Sequence, residues 1–65
     1  MIKIVSYRKM YKVKQQELAD YLEISTKSLG NKENGSKEFT RKEMLQITEF
    51  FKRFDDKITV LDIFF

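Results

Sequence analysis

An all-α domain of five short helices is the fold class this 65-residue sequence predicts, and three observations predict it. Apolar residues recur at intervals of three and four through most of the chain. Hydroxyl residues stand where helix N-caps belong, at Ser25, Thr40 and Thr59. Proline is absent and the two glycines lie only five positions apart, at 30 and 35, so nothing marks a linker and residues 1–65 read as one domain without a sheet.

Ile4, Tyr7 and Tyr11 follow the i, i+3, i+7 spacing of a first helix over roughly residues 2–11, although Ile2-Lys3-Ile4 alternates and is also compatible with an extended start. A second helix is expected over Gln15–Leu22, with Leu18, Ala19 and Leu22 facing inward and the poor cap Lys14 in front of it. Ser25 caps a third helix, Thr26–Glu33, anchored in the core by Leu29; Asn34-Gly35 stops it because both residues tolerate the left-handed conformation. The second and third helices are thereby expected to meet through Leu18, Leu22, Ile24 and Leu29 across a sharp turn.

Thr40-Arg41-Lys42-Glu43 has the form of a capping box, and Phe39 before it is placed to staple onto Met44. The fourth helix should run from there to about Phe54, with Met44, Ile47, Phe51 and Phe54 inward and Leu45 and Phe50 at the edges of the stripe. Thr59-Val60-Leu61-Asp62 repeats the hydroxyl-to-acid pattern and begins a short fifth helix through Ile63-Phe64-Phe65.

Composition narrows the class. At 42% apolar and 14% aromatic residues the chain is too hydrophobic for a disordered segment despite 35% charge, yet its core is small, so dimerisation is an obvious further source of stability. Cysteine and histidine are absent, which removes disulfides, thiolate ligands and the commonest general base, and the ten carboxylates are scattered among thirteen cations. Two glycines cannot build a phosphate loop, so no enzymatic activity, metal or other cofactor is expected. No apolar stretch approaches a membrane span and Met1–Val5 is too short for a secretory segment, so a cytoplasmic location is expected. The net charge of +3 lies wholly in residues 1–36, with seven Lys/Arg against four Asp/Glu, while residues 37–65 carry six of each. A mild basic bias suits a polyanion, and it is also common on ordinary soluble surfaces.

Laid out this way, the sequence resembles the small Cro and phage-repressor type of helix-turn-helix protein, the XRE-like family. The resemblance rests on Arg8, on Val13-Lys14-Gln15-Gln16-Glu17-Leu18-Ala19, on Leu22-Glu23-Ile24-Ser25 through the turn, and on Leu29 with Glu33-Asn34-Gly35. Downstream, Phe39-Thr40, Glu43-Met44, Ile58-Thr59 and Asp62-Ile63-Phe64-Phe65 look like short members from phages and prophages of Gram-positive bacteria. It implies a compact lambda-repressor-like domain, double-stranded DNA as partner and transcription regulation by a homodimer. Three positions depart from the family's pattern: Lys14 replaces Ser or Thr and weakens a cap, Glu23 replaces Gly and tightens the turn, and Lys32 replaces an apolar residue. Residues 52–57 look like an insertion before the last helix.

If the third helix enters a major groove, Lys27, Gly30, Asn31 and Asn34 face outward at i, i+3, i+4 and i+7, with Thr26 and Ser28 beside them. Asn31 has the donor and acceptor that read adenine N6 and N7, and Lys27 suits guanine O6 and N7 or a phosphate; the alternative for both is a solvated helix face. Gly30 fits either close approach of the backbone to DNA or a helix irregular at that point. Gln15 resembles the family's phosphate-binding glutamine, and Gln16, Asn34, Lys37, Arg41 and Lys42 join it as candidate phosphate contacts that fix register. By the same resemblance Arg8 and Glu33 form a structural salt bridge.

Phe54, Ile63, Phe64 and Phe65 are the expected dimer or partner surface. With Phe50 they also support a rival function, a protein-binding module of the same fold acting as an antirepressor or antitoxin-like partner. All six phenylalanines follow position 38. A membrane-bound amphipathic helix is disfavoured because cations and acids mix in every helix, and no small-molecule ligand is expected.

Overall fold

The computed structural model describes residues 2–65. Five helices follow in the order α1 (Ile4–Tyr11), α2 (Gln15–Leu22), α3 (Thr26–Glu33), α4 (Arg41–Lys52) and α5 (Val60–Phe64), and no strand occurs among the described residues. Capping chemistry sets the starts of the last three. Ser25 Oγ accepts from the Ser28 N–H at 3.0 Å, and Thr40 with Glu43 and Thr59 with Asp62 form reciprocal capping boxes. Each such cap is worth about 1 kcal/mol. Lys14 precedes α2 without a side-chain bond.

The core is one cluster in which Ile4, Leu18, Ala19, Leu29, Ile47, Phe51 and Ile63 are fully enclosed and Tyr7, Tyr11, Ile24, Met44 and Val60 pack at its edge. α2 meets both α3 and α4, while α5 lies between α1 and α4. That placement explains three differences from the sequence pattern. α1 begins at Ile4, after Lys3, whose N–H donates to the Ile63 carbonyl at 2.7 Å and so ties the residue before the helix to α5. α4 buries a wider arc than a single stripe because two helices pack on it, so Phe50 lies in the core beside Phe51. Phe54 is then 42% exposed, beyond the end of the helix at Lys52, where Phe54 N–H bonds the Phe51 carbonyl across only three residues.

The third difference concerns the expected dimer surface. Val60, Ile63 and Phe64 form the inner face of α5, and Ile63 and Phe64 are buried, Phe64 edge-on to Phe39 at 5.5 Å. Neither is available to a partner. Of the residues assigned to that surface, Phe54 and Phe65 remain exposed, and Phe54 stacks on Tyr11 with ring centroids 4.7 Å apart.

Two turns use left-handed residues other than glycine: Lys12 after α1 (φ 58°) and Glu23 after α2 (φ 59°). A side chain there costs about 1 kcal/mol relative to glycine. At Glu23 the strain is offset by a bond from the Ile24 N–H to the Ala19 carbonyl at 3.0 Å, which fixes the sharp entry into α3. Gly35 supplies the third such position, at φ 90°, while Asn34 stays at φ −90°.

Candidate nucleic-acid interface

The polar side chains around α2 and α3 fall into two groups, those tied into the fold and those left outward. In the first group, Glu33 accepts from three donors. Arg8 meets it with two parallel bonds, Nε to Oε2 at 2.8 Å and Nη2 to Oε1 at 3.1 Å, and Gln15 Nε2 donates to Oε1 at 2.9 Å. The Glu33 side chain is 5% exposed, so this cluster ties α1, α2 and the end of α3 at a largely desolvated point. Gln15, expected at phosphate, therefore has one of its two amide N–H groups committed and one remaining.

Gln16 Nε2 donates to Asp20 Oδ1 at 2.7 Å along α2, an exposed pair of small energetic weight. Asn34 Oδ1 accepts from the Ser36 N–H at 2.9 Å, and the Lys37 N–H donates to the Asn31 carbonyl at 3.1 Å, so residues 34–37 fold back over the end of α3. Arg41 and Lys42 are exposed at the start of α4, where they border an open groove with Tyr21 and Leu45.

Lys32 is accounted for only by the tertiary structure. Its Nζ donates to Glu43 Oε2 at 2.5 Å and lies 6.0 Å from the Phe39 ring centre, so a cation at a largely apolar position has both a carboxylate and an aromatic face. Glu43 also accepts from the Thr40 N–H at 2.8 Å, which joins α3 to the cap of α4.

Burial by itself raises the Glu43 carboxyl pKa, but the bonds from Lys32 and from the Thr40 backbone and hydroxyl outweigh it and hold the group below the ordinary carboxylate value. A depressed folded-state pKa contributes stability above the unfolded value, about 4.3, that is lost as pH falls through the folded value. Glu43→Gln is expected to cost about 1–2 kcal/mol at pH 7, and the gap to wild type should close under acid conditions. Urea titrations at pH 7 and pH 3 check this; a gap that does not depend on pH contradicts it.

The second group lies on α3, where Lys27 is exposed and Thr26, Ser28 and Asn31 are half-buried. Lys27, Gly30, Asn31 and Asn34 share one side of the helix. Among the described residues, the side chains of Thr26, Lys27, Ser28 and Asn31 hydrogen-bond no other protein group. The helix passes through Gly30 without a break, and the Gly30 carbonyl accepts from the Asn34 N–H at 3.0 Å, which removes an irregular helix as the reason for glycine. Beyond its own helix backbone and chain neighbours, a Cβ there would meet Gln15 Nε2 at 3.4 Å, the near limit of ordinary contact, with an amide that Glu33 holds in place. Packing inside the domain does not demand glycine at this position.

A further concave surface lies between α1 and residues 55–62, where Tyr7 and Tyr11 border Asp55 and Asp62. Burial first, then the charges of Asp62, Tyr11 and Asp55, raise the Tyr7 phenol pKa above its ordinary value. Among the described residues no group of three or more acidic, histidine or cysteine side chains is placed to hold a metal ion, and no helix is long and apolar enough to cross a membrane. No known protein family matches the chain, and no curated protein or solved structure matches it at a significant level.

Proposed function

We propose that this chain is a sequence-specific DNA-binding transcriptional regulator of the Cro and phage-repressor type. In this reading α2 and α3 are the helix-turn-helix of a lambda-repressor-like domain, and a homodimer places α3 of each copy in successive major grooves. The observation that carries it is the division of polar groups. Ser25, Gln15, Lys32 and Glu33 are engaged within the fold, while Thr26, Lys27, Ser28 and Asn31 on α3 are not. Asn31 then reads adenine and Lys27 reads guanine or phosphate. Gly30 lets the helix backbone come close to the duplex.

Selection of bound sequences from random duplexes, followed by a salt titration, tests the proposal. Binding should weaken steeply with salt, and Asn31→Ala should lose about 1–3 kcal/mol of discrimination at one base pair of each half-site without loss of stability. Gly30→Ala should stabilise the free protein by up to about 1 kcal/mol and weaken DNA binding. If no sequence is enriched even at low salt, the proposal fails.

A further inference from the structure

Tyr21 on α2 and Leu45 on α4 are 38% and 52% exposed, and together they floor an open groove of about 470 Å³. Arg41 and Lys42 stand at one end and Glu49 at the other, with Gln46 between. Arg41, Leu45 and Glu49 are four residues apart, so one face of α4 carries a cation, an apolar centre and an anion in a row. This order is self-complementary. When two identical helices pack antiparallel about a two-fold axis at Leu45, each residue four positions before the axis meets the residue four positions after it on the other copy. At 1.5 Å per residue both lie about 6 Å from the axis, within reach of long side chains.

We propose that this groove is the contact surface for a second copy of the chain. The two α4 helices cross antiparallel at Leu45, the two Leu45 and Tyr21 side chains close the apolar floor, and each Arg41 pairs with the partner's Glu49. Nucleic acid fits the groove poorly, since a phosphate backbone along it would run into the Glu49 carboxylate. A second copy brings the reversed charge order by symmetry alone. Glu49 is free to turn outward: its side chain is 68% exposed and its contact with Lys52, at 3.8 Å, is loose. Arg41 is thereby assigned to the subunit contact and not to DNA phosphate. The inference deepens the homodimer in the function proposed above, and it is testable without DNA.

Sedimentation equilibrium of the purified full chain, with no duplex present, decides it. Wild type should dimerise reversibly at micromolar concentration. Arg41→Glu and Glu49→Arg should each raise the dissociation constant about tenfold or more, because each places like charges opposite one another twice per dimer. The double variant R41E/E49R restores both pairs and should return to within about threefold of wild type. Leu45→Lys should weaken the dimer at least about a hundredfold, while Leu61→Lys, on the outer face of α5, should leave it unchanged. All five variants change only the exposed positions 41, 45, 49 and 61, and circular dichroism on each variant confirms the fold. A chain monomeric up to about 1 mM, a double variant without rescue, or a dimer lost with Leu61→Lys overturns the assignment. The outcome is independent of the sequence selection: enrichment with no charge-swap rescue removes this contact alone, and rescue with no enrichment removes the DNA reading alone.

Discussion

Replacing Glu33 with alanine is expected to destabilise the domain by about 3–5 kcal/mol. The substitution leaves the Arg8 guanidinium, 15% exposed at its side chain, without its two-bond partner, and it frees the Gln15 amide N–H that Glu33 also accepts. A domain of this length has about 3–10 kcal/mol of stability to lose, so most of the protein should be unfolded at growth temperature. Urea denaturation followed by circular dichroism measures the loss, and a loss below about 1 kcal/mol would show that the cluster is solvated. The double variant R8M/E33L separates removal of a charge from stranding of one. With neither charge left in the pocket, it should recover much of the loss. On the DNA-binding reading proposed above, binding lost through Glu33→Ala should return on cooling as the fold returns, unlike a loss at Asn31.

Phe50 and Phe54 should respond to truncation in opposite ways to the order that periodicity assigns them. Phe50→Ala is expected to cost about 3–5 kcal/mol, since its ring is 2% exposed, edge-on to Tyr21 at 5.0 Å and to Phe51 at 5.4 Å, with the Arg53 guanidinium 4.3 Å from its centre. Phe54→Ala removes a 42% exposed ring whose parallel stack on Tyr11 is worth about 1 kcal/mol. Thermal unfolding of the two variants side by side gives the comparison. Equal losses would mean that the end of α4 continues the helix past Lys52 and draws Phe54 inward.

The same pair of residues shows where pattern stops being informative. A three-four spacing identifies the direction of a stripe, and for α2, packed through Leu18, Ala19 and Leu22, that was sufficient. α4 is covered from two sides, so the buried arc widened to take Phe50, and the helix ended before the stripe did. α5 is so short that two of its residues are inside and two outside, and only its docking between α1 and α4 buries Ile63 and Phe64 and leaves Leu61 and Asp62 exposed, with Phe65 exposed beyond its end. On α3 the candidate contact residues could be named from sequence spacing. That Gln15 is shared with Glu33, and that Gly30 has no packing reason, required the two helices in place.

The sequence by itself determined the five helices and the starts of the last four, because caps and apolar periodicity act over three or four neighbouring residues and are written locally. It also placed Thr26, Lys27, Ser28 and Asn31 on a polar face. The tertiary structure alone decided which phenylalanines are core, what Lys32 and Gln15 bond, and that Arg41, Leu45 and Glu49 border a groove with Tyr21. Those outcomes depend on contacts between residues 11 to 25 or more positions apart, and no local preference encodes which of several apolar or charged neighbours a packed helix will meet.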